Sequence, residues 1–284
     1  MKIKLLFLSL FVFFTLNSIA QEFKTKELIS IDTTKWLCTY NYDFFQDSTS
    51  SYSKRNDQMY LQVGSHLSKF SCVSSFISDS ILYFAQRKNM DMQAFINLYS
   101  KSLSGVSSNI MSMYTIFKNY PSKGLMIFTA FDDNKFYKVE QPMHMNWRLD
   151  TQKDTAILGY NCQKAYTSYA GRNWVAWYSQ QIPLTDGPYK FNGLPGLILK
   201  ISDTKKQHCF TLNSIKKASY IQTINLQTVS FVDITAEEYI KIMKNKMMRL
   251  YGNLQNGVVT IDSEEAKAKA LHGLMSRNNF IEKF

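Results

Sequence analysis

Apolar and polar residues alternate with a period of two along much of this chain, and the apolar positions are rich in aromatic and β-branched side chains. That pattern predicts strands with one covered face. Residues 58–63 place Met59, Leu61 and Val63 on one side. Residues 110–117 and 125–131 read the same way, and Asp132-Asp133-Asn134-Lys135 supplies a turn into 136–140, so this pair is expected to be a hairpin. Further strands are expected at 36–45, 147–149, 156–166, 173–179, 197–202, 208–215 and 220–231. Roughly ten strands with short connections imply a mainly antiparallel sheet.

Helical spacing is rarer. In 79–102 the later apolar residues Met92, Phe95, Ile96 and Tyr99 step by three and four, which predicts one middle helix. Thr235-Ala236-Glu237-Glu238 is a capping box, where the threonine hydroxyl and the glutamate satisfy free backbone N–H groups. Behind it Tyr239, Ile240, Met243, Met247 and Leu250 form an apolar stripe, with Gly252 as the expected end. A second C-terminal helix is expected from Ser263 toward Phe280. The fold class is therefore α+β, mainly antiparallel β, with one middle and two C-terminal helices.

Composition adds an address. The 284 residues are 45% hydrophobic and 19% charged, with only 11 glycines and 5 prolines, so little of the length is left for linkers and one domain is expected. Lys2 and Lys4 precede an apolar run from Leu5 to Leu16, and Ser18-Ile19-Ala20 has the small residues of a signal-peptidase site. Residues 1–20 thus read as a signal peptide cleaved at Ala20–Gln21, leaving a single domain over 21–284. The run is too short to span a bilayer, which takes about twenty residues, and no later stretch is apolar enough. No cysteine lies near Gln21, so a lipoprotein anchor is not indicated. The expected place is the periplasm or the extracellular space.

Two of the 33 basic residues leave with that peptide, so 31 basic residues face 22 acidic ones, a net charge of +9. In an exported chain such a balance points to anionic envelope components or to a solvated basic surface, and not to nucleic acid. Much of the excess lies near the C-terminus, at Lys241, Lys244, Lys246, Arg249, Lys267, Lys269, Arg277 and Lys283. Four cysteines remain, and four allow three disulfide pairings. Neighbourhood in the chain favours Cys38–Cys72 and Cys162–Cys209, with free buried thiols as the alternative. No two cysteines have the spacing of a zinc hook.

Few residues suggest chemistry. Met143-His144-Met145 combines ligands suited to soft metals, but on a strand the two methionines share one face and the histidine points away. Methionines filling a core and a surface histidine are the competing reading, and no metal or cofactor is expected. There is no Gly-x-Ser-x-Gly elbow, no His-Glu-x-x-His helix and no phosphate-binding glycine loop. Asp132-Asp133 reads as a solvated turn.

One stretch is compositionally unlike the rest. Residues 182–196 hold Pro183, Pro188 and Pro195 and Gly187, Gly193 and Gly196, six of the chain's sixteen glycines and prolines. Proline fixes φ and glycine permits positive φ, so the segment is a connection of defined shape, with Pro195-Gly196 suited to a type II turn. Connections this long pack as compact loops or carry function. As a binding edge the loop would offer backbone groups freed by its prolines, Leu194, the rings of Trp177, Tyr189 and Phe191, and Arg172 as a planar cation for carboxylate or phosphate. As a structural staple it would pack Tyr189, Phe191, Leu194 and Leu197 onto the sheet.

The hexapeptide Gly193-Leu194-Pro195-Gly196-Leu197-Ile198 resembles the name-giving motif of the GLPGLI family, exported proteins of the Bacteroidota. Ile157 to Ala165, Gly171-Arg172, Ala176-Trp177-Tyr178, Ile182-Pro183 and Gly187 to Phe191 are similar to that family as well, and Ser68 to Ser71 and Trp147 more weakly. The resemblance implies export and no established activity. By analogy with lipoprotein carriers it also implies a curved sheet, a half-barrel wrapped around helices. The function expected is non-enzymatic: binding of an apolar or amphipathic ligand, a peptide, or another envelope protein through the sheet and the loop. A structural role in the envelope, or an enzyme assembled from residues distant in sequence, are the alternatives.

Overall fold

The computed structural model describes residues 27–106, 109, 112–218, 222–261 and 263–283, with backbone only at 151–153. The expected signal peptide and its cleavage site lie outside these residues. Fourteen strands and four α-helices are present among them: β1 (Leu28–Thr33), β2 (Trp36–Phe45), β3 (Lys54–Val63), β4 (Ser68–Cys72), α1 (Val73–Arg87), α2 (Met92–Leu103), β5 (Tyr114–Lys118), β6 (Leu125–Asp132), β7 (Lys135–Pro142), β8 (Arg148–Ile157), β9 (Tyr160–Tyr169), β10 (Arg172–Ser179), β11 (Leu197–Asp203), β12 (His208–Lys217), β13 (Thr223–Gln227), β14 (Phe231–Asp233), α3 (Ala236–Gln255) and α4 (Glu264–Met275). Twelve strands form one sheet in the order β14-β7-β6-β5-β4-β3-β2-β12-β11-β10-β9-β8, and β1 pairs with β13 as a separate ribbon. Every ladder is antiparallel except β14 on β7. The α+β class and the mainly antiparallel sheet agree with the sequence pattern.

Differences from expectation lie at turns and in strands the pattern does not mark. β1 and β4 fall outside the expected strands, and 220–231, expected as one strand, holds β13 and the start of β14, which belong to separate sheets. Residues 156–166 are two strands, because Leu158 and Gly159 both take positive φ (52° and 81°) and reverse the chain between β8 and β9. Ala170-Gly171 does the same between β9 and β10, and Asp133-Asn134 closes the expected β6–β7 hairpin. The middle helix is two helices, parted where Asn89 adopts φ 47° and Asp91 caps α2 by accepting from Ala94 N–H. The capping box at Thr235 and Glu238 is present. Gly252 does not end α3, which runs on to Gln255 and stops where Gly257 takes φ 72°.

The sheet is strongly curled. Strands β7 and β8 are ten positions apart in it, about 48 Å if it were flat, yet the chain joins Pro142 to Arg148 in a span of at most about 21 Å. Its concave side carries Tyr40, Tyr42, Phe44, Met59, Leu61, Phe70, Ile116, Phe128, Trp174 and Phe210, all buried in the main core. The convex side is covered over β3–β6. There Phe76 of α1 stacks on Tyr60, and the β1–β13 ribbon lays Ile31, Ile224 and Leu226 over Phe117 and Ile127.

All four cysteines are free, which corrects the expected disulfides. Cys38 on β2 and Cys72 on β4 have β3 between them, and Cys162 on β9 and Cys209 on β12 have β10 and β11 between them. Two or three strand spacings exceed about 9 Å, whereas bridged Cα atoms lie within about 7 Å.

Candidate binding loop

Strand β10 sets the site. Its alternation buries Arg172, Trp174, Ala176 and Tyr178 and leaves Asn173, Val175 and Trp177 on the convex face. Beyond Ser179 the chain folds into the concave side as residues 180–196 before returning as β11. Trp177 and Phe191 are therefore not brought together. Trp177 is half-buried outside, with Lys164 Nζ 5.4 Å from its ring, and Phe191 is fully buried inside, edge-on to Trp174 and Tyr169.

The loop holds itself with short backbone turns. Ile182 O accepts from both Leu184 N–H (2.7 Å) and Leu197 N–H (3.1 Å), Asp186 O accepts from Ile198 N–H (3.0 Å), and Pro188 O accepts from Phe191 N–H (3.2 Å). The expected type II turn at Pro195-Gly196 is not formed. Leu194 O instead accepts from Gly196 N–H at 2.8 Å, a tighter turn centred on Pro195, and Gly196 sits at φ 146°. No side chain fits at Gly196: a Cβ there would lie 2.1 Å from Ser179 O. Tyr189 takes φ 53°, a conformation strained for a bulky residue, and is held in it by packing against Tyr114 and Phe210 and by its hydroxyl.

Buried charge clamps the loop from the sheet. Lys118, the inward partner of Tyr114 and Ile116 on β5, pairs with Asp186 and donates to Gly187 O at 2.5 Å. Burial pushes its ammonium pKa down, and Asp186 opposes that. Lys190 Nζ reaches Glu282 at 2.7 Å and Gln141 of β7 at 3.1 Å. The Tyr189 hydroxyl donates to the same Glu282 oxygen at 2.8 Å, and burial together with that carboxylate keeps the phenol protonated far above its ordinary range. Outer parts of the loop are tied as well: Trp147 Nε1–H donates to Asn192 O, and Tyr40 O–H donates to Ile198 O. The backbone groups expected to be free for a ligand are thus largely used inside the molecule.

Arg172 lies under the C-terminal strap. Its guanidinium donates to Asp203 (3.1 Å), Gln207 (3.2 Å), Asn279 Oδ1 (2.7 Å), Phe280 O (2.6 Å) and Ile281 O (2.9 Å). No donor is left for a carboxylate or phosphate from outside. Burial lowers its pKa and Asp203 counters this, an arrangement that holds position and does not turn over protons. Next to it His208 is buried on Tyr42, with Nδ1 2.7 Å from the phenol oxygen, and desolvation and the Arg172 charge keep the imidazole neutral.

Of the loop residues expected to bind, Tyr189, Phe191, Leu194, Pro188 and Gly196 are buried, while Pro183, Gly193 and Pro195 face solvent; Thr185, not among those expected, is exposed beside them. Met143, His144 and Met145 lie in the β7–β8 connection and not on a strand, but their exposure still alternates: Met143 and Met145 are half-buried against the main core, His144 is exposed, and Met143 Sδ accepts from Asn119 N–H. Asp132 is not a solvated turn former. It is buried between Lys246 (2.7 Å) and Arg249 (3.3 Å) and fastens α3 to the β6–β7 hairpin. Sequence reasoning missed Lys118, Lys190, Asp203, Asn279 and Glu282. Only Lys118 carried a signal, its place in the apolar register of Tyr114 and Ile116.

Among known proteins, the family model described as "Protein of unknown function (Porph_ging)" matches residues 168–200, the span from the end of β9 through the loop into β11. No curated protein matches. Among solved structures, PNGF-II in its P21 crystal form aligns with a TM-score of 0.46 and 14% identity over 73% of this chain and 32% of that one. Its C2 form aligns with a TM-score of 0.46 and 15% identity over the same shares. The chain thus spans about a third of the length of PNGF-II. A LolA superfamily protein, NE2245 from Nitrosomonas europaea, aligns with a TM-score of 0.28 and 7% identity over 72% of this chain and 93% of that one. No helix among the described residues is long and apolar enough to cross a membrane.

Proposed function

We propose that this is an exported, non-catalytic protein of the GLPGLI type, one domain from Gln21 onward, that contacts another envelope protein through the presented rim of its loop. The observation that carries the proposal is the division of the loop into two sides. Tyr189, Lys190, Phe191, Leu194 and Gly196 are buried and clamped by Lys118, Glu282 and Gln141, while Pro183, Thr185, Gly193 and Pro195 are exposed. A rim whose conformation is fixed before contact loses little conformational entropy on binding. The hexapeptide motif supports the family reading, and the family match over residues 168–200 falls on the same segment.

An apolar or amphipathic ligand is less well supported in the interior, because Phe191 and Tyr189 already occupy the concave side. The test is site-specific photo-crosslinking in the host cell. A crosslinker at Thr185 is expected to give one discrete protein adduct, and the same group at exposed Ser80 on α1 is expected to give none. A lipid-sized adduct at Thr185 would replace the protein partner with an amphipathic one. Equal labelling at both positions would remove the rim as a contact site.

A further inference from the structure

At the end of the sheet remote from the loop rim, two arginines stand close together without a carboxylate. Arg55 lies directly across the β2–β3 ladder from Phe44, on the concave face. Gln46, two residues beyond Phe44 on the same side, donates its backbone N–H to Ser53 O at 3.1 Å and accepts from Asn278 N–H at 3.1 Å, which brings Arg277 beside it. Same-face neighbours on such a diagonal stand about 7–8 Å apart, within reach of long side chains.

The donors here are largely unused. Arg277 Nη1 rests on Met247 Sδ at 3.7 Å, and Nε is buried with no hydrogen-bond partner. Among the described residues Nη2 has no hydrogen bond or ion pair either. The Nε–Nη2 edge, which binds oxyanions in bidentate fashion, is therefore open. Gln46 is 6% exposed and its Nε2 is likewise unpartnered. Arg55 donates only to its own neighbour, Lys54 O. Burial and the Arg55 charge both lower the pKa of Arg277, the electrostatic signature of like charges held together.

The nearby carboxylates are engaged elsewhere. Asp47 accepts from Thr49 and Asn278, Asp57 accepts from Ser112 and Asn109, and Asp43 lies on the opposite face with Lys54 at 3.8 Å. Two guanidiniums with unused donors and an amide nitrogen without an acceptor make a set suited to an anion.

We propose that Arg277, Arg55 and Gln46 bind a phosphate-class oxyanion, with the Arg277 Nε–Nη2 edge as its main donor pair. The phosphate is either free in solution or the headgroup of an anionic lipid. The experiment measures the melting temperature of the full chain against inorganic phosphate at constant ionic strength, with chloride as the balancing salt. Saturable stabilisation is expected, and Arg277→Lys, which keeps the charge and loses the planar fork, is expected to weaken apparent affinity about tenfold. Should Arg277 variants fail to fold, the exposed Arg55→Gln variant is expected to weaken it as well. Flotation with phosphatidylglycerol vesicles, absent with phosphatidylcholine and lost in Arg55→Gln, assigns the site to a headgroup, and a phosphate response without flotation assigns it to a soluble ligand. No saturable phosphate response, or a response unchanged in Arg277→Lys and Arg55→Gln, would overturn the proposal.

Discussion

Replacing Gly196 with alanine tests the loop's packing most sharply, because the new Cβ would run into the Ser179–Gln180 peptide group. It would lie 2.1 Å from Ser179 O, 2.5 Å from Ser179 C and 2.9 Å from Gln180 N, and Gly196 already has φ 146°. The backbone conformation alone costs a side-chain-bearing residue about 1–3 kcal/mol. Relieving the overlap requires Ser179 to separate from its ladder partner Leu197, and each buried backbone group left unpaired costs about 1–3 kcal/mol more. A loss of about 3–6 kcal/mol is expected, a large part of the 5–15 kcal/mol typical of a domain. At about 2–4 °C per kcal/mol for a chain of this size, the melting temperature should fall by about 6–24 °C. Gly252→Ala is the matched control. Its Cβ meets nothing within 4 Å and it lies inside α3, so it should stabilise by about 0.5–1 kcal/mol. Thermal unfolding followed by near-UV circular dichroism reads both variants. A Gly196→Ala protein that melts with the parent would refute the close approach of β10 and the loop's end.

Three further outcomes follow from the interior. Phe191→Ala should lose about 3–5 kcal/mol in urea unfolding, because the ring is wholly buried against Trp174, Tyr169 and Tyr189, and a variant of parental stability would mean that the ring is not part of the core. His208 is held neutral in the fold, well below its ordinary pKa near 6.5, so the unfolded chain binds the proton first. Its contribution is full above about pH 6.5 and declines as pH falls, and His208→Gln should flatten the stability profile between about pH 5 and 6.5. Thiol titration in denaturant without reductant should find four free thiols, and two or none would restore the disulfide reading.

How far the chain could be read in advance depended on whether a feature was local. Period-two alternation located most strands, and the capping box at Thr235 and the Asp133-Asn134 turn were legible because each is specified within four residues. The β8–β9 turn was missed because Leu158 takes positive φ against its side chain's preference, with only Gly159 to mark it. The break between α1 and α2 had a sign, Asn89 and Asp91 in sequence, that apolar spacing alone overrode. The loop was recognisable as a shaped segment, but its division into clamped and exposed sides was not. That division comes from Lys118, 68 residues from Asp186, and from Gln141 and Glu282, 49 and 92 residues from Lys190, and polar residues in strands or near the end of the sequence announce nothing about burial. The curl of the sheet was expected only through the analogy with lipoprotein carriers, because no residue pattern marks it; ladder order set against the short β7–β8 connection is what shows it.

The central claim is that residues 182–196 fill the curled sheet and are held there in one conformation. Native-state hydrogen exchange across residues 184–198 tests it directly, since Phe191, Gly196, Leu197 and Ile198 N–H groups are all hydrogen-bonded within the fold. Protection comparable to that of the amides of β10 and β11 is the predicted result. Exchange near the intrinsic rate for this segment, with β10 and β11 protected, would contradict it.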